Sequence, residues 1–405
     1  MESARPFIES ASARSRLLEG RLPLIADERR KSMAEVARAG VPSGKLETWK
    51  YTPINPFFAP PFGVDETPTT EQSRGTEAFH SFAGATTVVL TGAQSLPAIA
   101  ARSGVDIVAL HAPLNADLDV ARYPLAHLNT ALLEEGLVIR VAPGLDAGVL
   151  DLRFAPGSDP ARINRVRVEL AAGSRLRLIE QRGEGCATNA VIDIQVGPDA
   201  ALQHVRVLPS GDAAGWYLVS THVDAGASYD LVGHAMGAKT RRCDIHVRLA
   251  GARANTNIDL GCAVHRHDRL DHQLVIEHVG VDTVSRQLVH GIAADRGELT
   301  FNGRIHIHPL AQRSDARLTN KNLLLDKNAR VNTKPELEIY ANDVKCSHGA
   351  TVGQLDPAQL FYMRARGFDE AAARAVLTRA FLTGRMAPWL IEAGVPGIYA
   401  PVLAG

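Results

Sequence analysis

Apolar and polar residues alternate with a period of two through most of the centre of the chain. The alternation is clear at Val166, Val168 and Leu170; Leu176 and Leu178; Val205 and Val207; Ile305 and Ile307; Leu337 and Ile339. Residues two apart on an extended chain point the same way, so each run predicts a strand with one buried face. Helical periodicity is absent from roughly residue 136 to 350, which predicts an all-β unit there. TTVVL (Thr86 to Leu90) and VDIVAL (Val105 to Leu110) predict two earlier buried strands.

Helical patterns flank this centre. From Leu22 to Arg38 apolar and charged residues interleave, Gly40 can supply a C-terminal cap and Pro42 blocks continuation. A second helical pattern runs from Tyr123 to Leu137. Near the end, Asp356, Pro357 and Gln359 form a capping-box arrangement, followed by Leu360, Phe361 and Arg364, with Gly367 to close the helix. Asp369 caps a further helix, with Val376, Leu377, Ala380 and Phe381 on one face and Gly384 at its end. The expected organisation is a helical and mixed region over 1–135, a β core over 136–350 and a helical region over 351–405. The apolar residues of the final helix pair must pack on the end of the β core or on a partner.

A faint repeat lies within the β core. Small turn residues at Gly173, Asp199, Gly226 and Gly251, each followed by alternating apolar residues, recur about every 25 positions. Gly297 lies near two further intervals, and Asn328 follows at a longer one. That period suits one coil of a β-solenoid, in which each coil stacks on the next. A sandwich of antiparallel strands with turns every 8–12 residues or so is the rival. The recurrence over most of the region favours the solenoid.

Composition narrows the function classes. The 405 residues carry 45% hydrophobic and 22% charged side chains, and Lys+Arg and Asp+Glu both total 44. A zero formal net charge argues against nucleic acid, whose phosphates reward a basic excess. No apolar run reaches the length of a membrane span, and the first residues lack a signal-peptide core, so a cytoplasmic location is expected. Cys186, Cys243, Cys262 and Cys346 are too sparse for a disulfide framework and form no CxxC pair. Phosphate-binding GxxxxGK[ST] and GxGxxG loops and the GxSxG elbow are also missing. Nor does any acidic pair stand out that would suit a carbohydrate-active β-helix.

Two features could carry metal chemistry. In EIYANDVKCSHGATVG, continued alternation places Val344, Cys346 and His348 on one strand face, with successive α-carbons on that face ~6.6 Å apart. A thiolate and an imidazole suit iron, zinc or copper(I), but two ligands hold an ion weakly. Spacing alone leaves a buried cysteine beside a surface histidine as the simpler reading. The HxH pairs His265/His267 and His306/His308 would each project from one side of a strand and could serve a metal-dependent β-fold enzyme, although no carboxylate can be assigned as third ligand. His204, His222, His234, His246, His278 and His290 read as exposed or hydrogen-bonded residues of the β region.

Three blocks resemble the SufB/SufD family of iron–sulfur cluster assembly scaffolds, and its SufD branch in particular. They are KLETWKYTPI (Lys45 to Ile54), NTKPELEIYANDVKCSHGATVGQLD (Asn332 to Asp356) and PAQLFYMRARGFDEAAARAVLTRAFL (Pro357 to Leu382). The resemblance implies a right-handed parallel β-helix between helical regions and a non-catalytic role beside SufB and the SufC ATPase. It implies homodimers of the isolated chain, and docking of SufC on the C-terminal helices through Gln359, Phe361, Tyr362, Arg366 and Gly367. It also implies a transient cluster at the SufB interface with His348 as a ligand and Cys346 in support. A reduced flavin in the complex is a further implication, with no cofactor held by the chain alone.

Overall fold

A computed structural model describes residues 5–20, 23–40, 46–57, 79–90, 103–110, 123–155, 161–183, 185–384 and 386–403. Its body is a two-sheet parallel β-solenoid. One sheet, A, contains β1 (Thr86–Leu90), β4 (Asp146–Phe154), β6 (Arg175–Arg182), β8 (Ala201–Leu208), β10 (Ser228–Met236), β12 (Asn255–Val264), β14 (Val284–Ala293), β16 (Asp315–Leu324) and β18 (Lys345–Gly353), in that spatial order. Sheet B runs from β2 (Val105–Ala109) through β3 (Glu135–Val141), β5 (Ala161–Leu170), β7 (Ala187–Val196), β9 (Gly211–Val223), β11 (Ala238–Leu249), β13 (Arg269–His278) and β15 (Glu298–Ile307) to β17 (Arg330–Ile339). All pairings are parallel except that of β2 with β3. From β3 onward the chain alternates between sheets, so each coil contributes one strand to each.

Register is kept from coil to coil over the second half of sheet A. Ala201, Ser228, Asn255, Val284, Asp315 and Lys345 stand side by side on successive strands of sheet A. Corner turns stack in the same way. Gly144, Gly173, Asp199, Gly226, Arg253, Asp282 and Arg313 all take positive φ, and each backbone N–H donates to a carbonyl of the next coil. Gly251 and Gly297 therefore hold a different role from the one their spacing suggested. The left-handed positions are Arg253 and Asp295, while a Cβ at Gly251 would lie 2.0 Å from the Ala225 nitrogen. Close approach of coils fixes that glycine, not turn conformation.

The inward rows of both sheets form one long core, from Val88 and Leu137 to Ala316 and Leu318. The middle of this interior is charged. Glu180 accepts hydrogen bonds from Arg182 and, at 2.7 Å, pairs with Arg206 Nε; His204 Nε2 lies 3.3 Å away. Burial opposes ionisation of Glu180, but Arg206 and Arg182 outweigh it and hold the carboxyl well below its usual range.

Helices cover the outer faces. On sheet B lie α1 (Arg5–Leu17), α2 (Ala26–Ala39) and α3 (Pro124–Ala131), whose apolar residues pack with Trp49, Phe57, Val138, Ile163, Val191 and Trp216. The segment from Tyr123 to Leu137 is thus divided: its helix ends at Ala131 and Leu137 belongs to β3. The Arg242 guanidinium sits 3.9 Å from the Trp49 ring centroid, which ties the KLETWKYTPI block to the solenoid.

Sheet A is covered by α5 (Glu370–Thr383), α6 (Pro388–Glu392) and α7 (Ala400–Leu403). Leu382, Leu390, Tyr399 and Val402 pack on Ile179, Val205, Val207 and Met236. The buried residues of α5 are Ala373, Thr378 and Leu382, and the expected Phe381 packs beside them, its ring centroid 4.8 Å from that of His290, whereas Val376 is 44% exposed. The sequence pattern placed Val376 on the apolar face; Ala373 and Thr378 are small enough to approach the sheet more closely. Asp356 and Asp369 cap α4 (Pro357–Ala365) and α5 as expected. No helix among the described residues is long and apolar enough to cross a membrane.

Candidate functional site

The last coil, β17 and β18, forms one end of the described solenoid. Each strand has a single neighbour among the described strands, β15 and β16 respectively. Its other edge carries backbone N–H and C=O groups aligned for pairing with another chain. Rows that point into the core elsewhere continue onto this coil but have no further coil above them among the described residues. Val331, Leu337, Val344 and Cys346 are only partly buried, although they pack against the core. Ile339 is 40% exposed. An uncapped solenoid end of this kind needs a polar cap or a partner.

Cys346 and His348 sit on that inward row of β18. Cys346 is registered beside Ala316 and His348 beside Leu318, so both side chains project from the same side of the strand. Burial raises the Cys346 thiol above its usual range, and the Asp315 carboxylate adds to the effect. Such a thiol is protonated at neutral pH and is not a poised nucleophile. His348 is exposed. Among the described residues no third His, Cys, Asp or Glu closes a ligand set around this pair. The remaining interior ligands, Cys243 and Cys262, are buried, and burial pushes the Cys243 thiol up to about 11.

A short connection joins β18 to α4. Asp356 caps the helix by accepting from the Ala358 N–H. No residue of α4 is buried, and Phe361 and Tyr362 are 75% and 57% exposed. Gln359, Arg366 and Gly367 are exposed as well, and Gly367 takes φ 94°. Arg366 lies over the Tyr362 ring at 5.1 Å. The αα-hairpin is thus asymmetric: α5 packs on sheet A, and α4 presents an uncovered aromatic surface.

The two HxH pairs have different fates. His265 and His267 flank Arg266, a turn residue with φ 54° beyond the end of β12, so they do not project from a strand. His265 is buried against Asp268 at 3.4 Å. His306 and His308, at the end of β15, do share one side, with ring centroids 4.1 Å apart. Glu277 of β13 reaches them from the preceding coil, a carboxylate that sequence spacing could not assign. Of the scattered histidines, His204, His234 and His278 are buried and hydrogen-bonded to Tyr229, Tyr399, and Thr283 with Ser285.

Comparison with known proteins agrees with this architecture. Residues 154–381 match the family described as SUF system FeS cluster assembly, SufBD core domain, and residues 2–82 match SufBD protein N-terminal region. The chain is 28% identical over 371 residues to the iron–sulfur cluster assembly protein SufD of Escherichia coli, covering 86% of this chain and 85% of that protein. It is 32% identical over 259 residues to protein ABCI7, chloroplastic, of Arabidopsis thaliana, covering 62% of this chain and 53% of the relative. A SufBD family protein of Synechocystis is 28% identical over 275 residues, 63% of this chain and 60% of its own length.

Proposed function

This chain belongs to the SufBD family of iron–sulfur cluster assembly proteins, and from that premise we propose that it acts as a non-catalytic scaffold subunit beside a SufB-type chain and a SufC-type ATPase. The observation that carries this reading is the uncapped last coil, with His348 exposed on its inward row and α4 uncovered only a few residues later. The open edges of β17 and β18 pair with the partner scaffold, or with a second copy when the chain is isolated. His348 supplies one ligand to a cluster shared across that junction, and Cys346, protonated and half-buried, shapes its surroundings. The cluster is cargo of the assembled complex, not a resident group of this chain, and a reduced flavin joins only the complex.

The ATPase docks on α4 through Gln359, Phe361, Tyr362, Arg366 and Gly367. Nucleotide-driven closure of the ATPase pair pulls on α4 and, through the short link at Asp356, on β18. Two arrangements of the interface, biased by nucleotide, are what such coupling requires. ATP hydrolysis belongs to the partner, and the complex works in the cytoplasm.

Co-expression with SufB- and SufC-type chains followed by anaerobic reconstitution tests the reading. A stable complex should form and develop cluster absorption that this chain alone does not. A chain that neither captures the two partners nor changes the cluster yield of SufB with SufC would overturn it.

A further inference from the structure

We propose that Glu277, His306 and His308 form a binding site for one first-row divalent transition-metal ion of the zinc or iron(II) class, separate from the last-coil site. Ligand atoms of the three side chains all lie within 4.8 Å of one another. They come from two adjacent strands of sheet B, where Glu277 and His306 are direct neighbours in register. The strands are held by main-chain ladders on both sides, so the ligands stand on rigid elements. Two imidazoles and one carboxylate are the donor set of open zinc and non-haem iron(II) sites.

The surrounding groups favour an ion here. Nε2 of His308 is buried without a hydrogen-bond partner, and it lies 3.5 Å from the Glu277 carboxylate. With its proton on Nδ1, the ring presents at Nε2 an unsatisfied acceptor facing an anion, a situation that a cation between them relieves. The His306 and His308 rings stack with an interplanar angle of 12°. Four-coordinate metal–nitrogen bonds of about 2.0–2.1 Å place ligand atoms ~3.3 Å apart, so a modest tilt of both rings completes the geometry.

Glu277 is fixed from behind. His246 Nε2 lies 3.1 Å from Oε1 and Arg248 donates to Oε2 at 2.8 Å. His246 is itself stacked on Tyr123, with centroids 6.0 Å apart. The histidine and the guanidinium hold Glu277 down at about 2, so the carboxylate is ionised at any physiological pH. Burial and the neighbouring His308 both disfavour the charged form of His306. Each carboxylate oxygen retains a second lone pair for an ion while keeping its present hydrogen bond. Three protein ligands leave coordination positions open to water or to a small ligand.

Titration of the tag-free, metal-stripped full chain with Co²⁺ tests the site. One equivalent should bind, with the visible absorption of a four- or five-coordinate ion, and Zn²⁺ should displace it. The His306→Ala/His308→Ala variant should lose saturable binding while keeping the parent's circular dichroism and melting temperature. His246→Ala should weaken binding by about 10-fold or more, as expected when a group that orients a ligand is removed. Cys346→Ala and His348→Ala should bind as the parent does, which separates this site from the last-coil site. Absence of saturable Co²⁺ binding to the parent, or unchanged binding in the folded double-histidine variant, would overturn the assignment.

Discussion

Leu318 and His348 occupy the same rung of adjacent coils, yet Leu318 is 2% exposed and His348 stands open to solvent. The contrast follows from position alone, because β16 has β18 beyond it and β18 has no strand beyond it among the described residues. Stability therefore ought to separate the two residues. Leu318→Ala removes packed core volume and should cost about 2–5 kcal/mol. His348→Ala should stay within about 0.5 kcal/mol of the parent, as surface changes do. Urea denaturation of the isolated variants checks both; equal costs would mean that the last coil is sealed within the chain itself.

Tyr399 anchors the C-terminal helices to sheet A. Its hydroxyl donates to the Gly261 carbonyl at 2.8 Å and meets Nδ1 of His234 at 2.9 Å. A Cβ at Gly261 would come within 2.6 Å of that hydroxyl. Tyr399→Phe should cost about 1–3 kcal/mol, because it leaves buried polar groups without partners. Gly261→Val should loosen the terminal helices, seen as faster proteolysis beyond Gly384. Resistance equal to the parent's would show that the anchor is dispensable.

Acid should destabilise the solenoid before its carboxylates titrate. Burial lowers His234 and His278 to about 4 and His272 to about 3. In the unfolded chain these rings titrate near 6.5, so between that pH and about 4 the unfolded state binds more protons. Their contribution is complete above about pH 6.5 and is lost as pH falls towards 4, at about 1.4 kcal/mol per pH unit for each ring. Urea midpoints should fall steadily from pH 7 to pH 5, and His234→Asn should flatten the slope by one ring's share. A midpoint independent of pH over that interval would refute the buried neutral state.

The uncovered face of α4 makes a sharper prediction about partners. Phe361→Ala with Tyr362→Ala should leave the melting temperature of the isolated chain unchanged, since neither side chain is buried. Capture of the SufC-type ATPase on co-purification should be lost, while pairing with the SufB-type chain persists. Undiminished capture would move the docking surface elsewhere.

Much of this architecture was readable from the chain. Alternation at Val166, Val168 and Leu170 or at Ile305 and Ile307 marks inward rows directly, and Asp356 and Asp369 mark helix starts by cap chemistry. Other parts resisted for physical reasons. Coil length varies, so one turn ladder passes through Arg253 and Asp282 and the opposite corner through Arg266 and Asp295, where glycines at 251 and 297 caught the eye. Glu180, Arg182 and Arg206 carry no apolar signal in the alternation, yet they lie inside the coils, where the carboxylate pairs with both guanidinium groups. The partnership of Glu277 with His306 depends on which residues a parallel register sets side by side, and local spacing does not contain that register. Cys346 and His348 stood out by sequence as a pair; that their row ends uncapped is a property of the whole solenoid.

In the proposed complex, His348 is one ligand of a cluster completed across the junction with a second scaffold chain. The most direct measurement is maturation of apo-ferredoxin by a purified complex of this chain, carrying His348→Ala, with SufB- and SufC-type partners. The complex should assemble with parental stoichiometry and hydrolyse ATP, yet fail to form or deliver clusters. Maturation at the parent rate by the intact variant complex would contradict the claim.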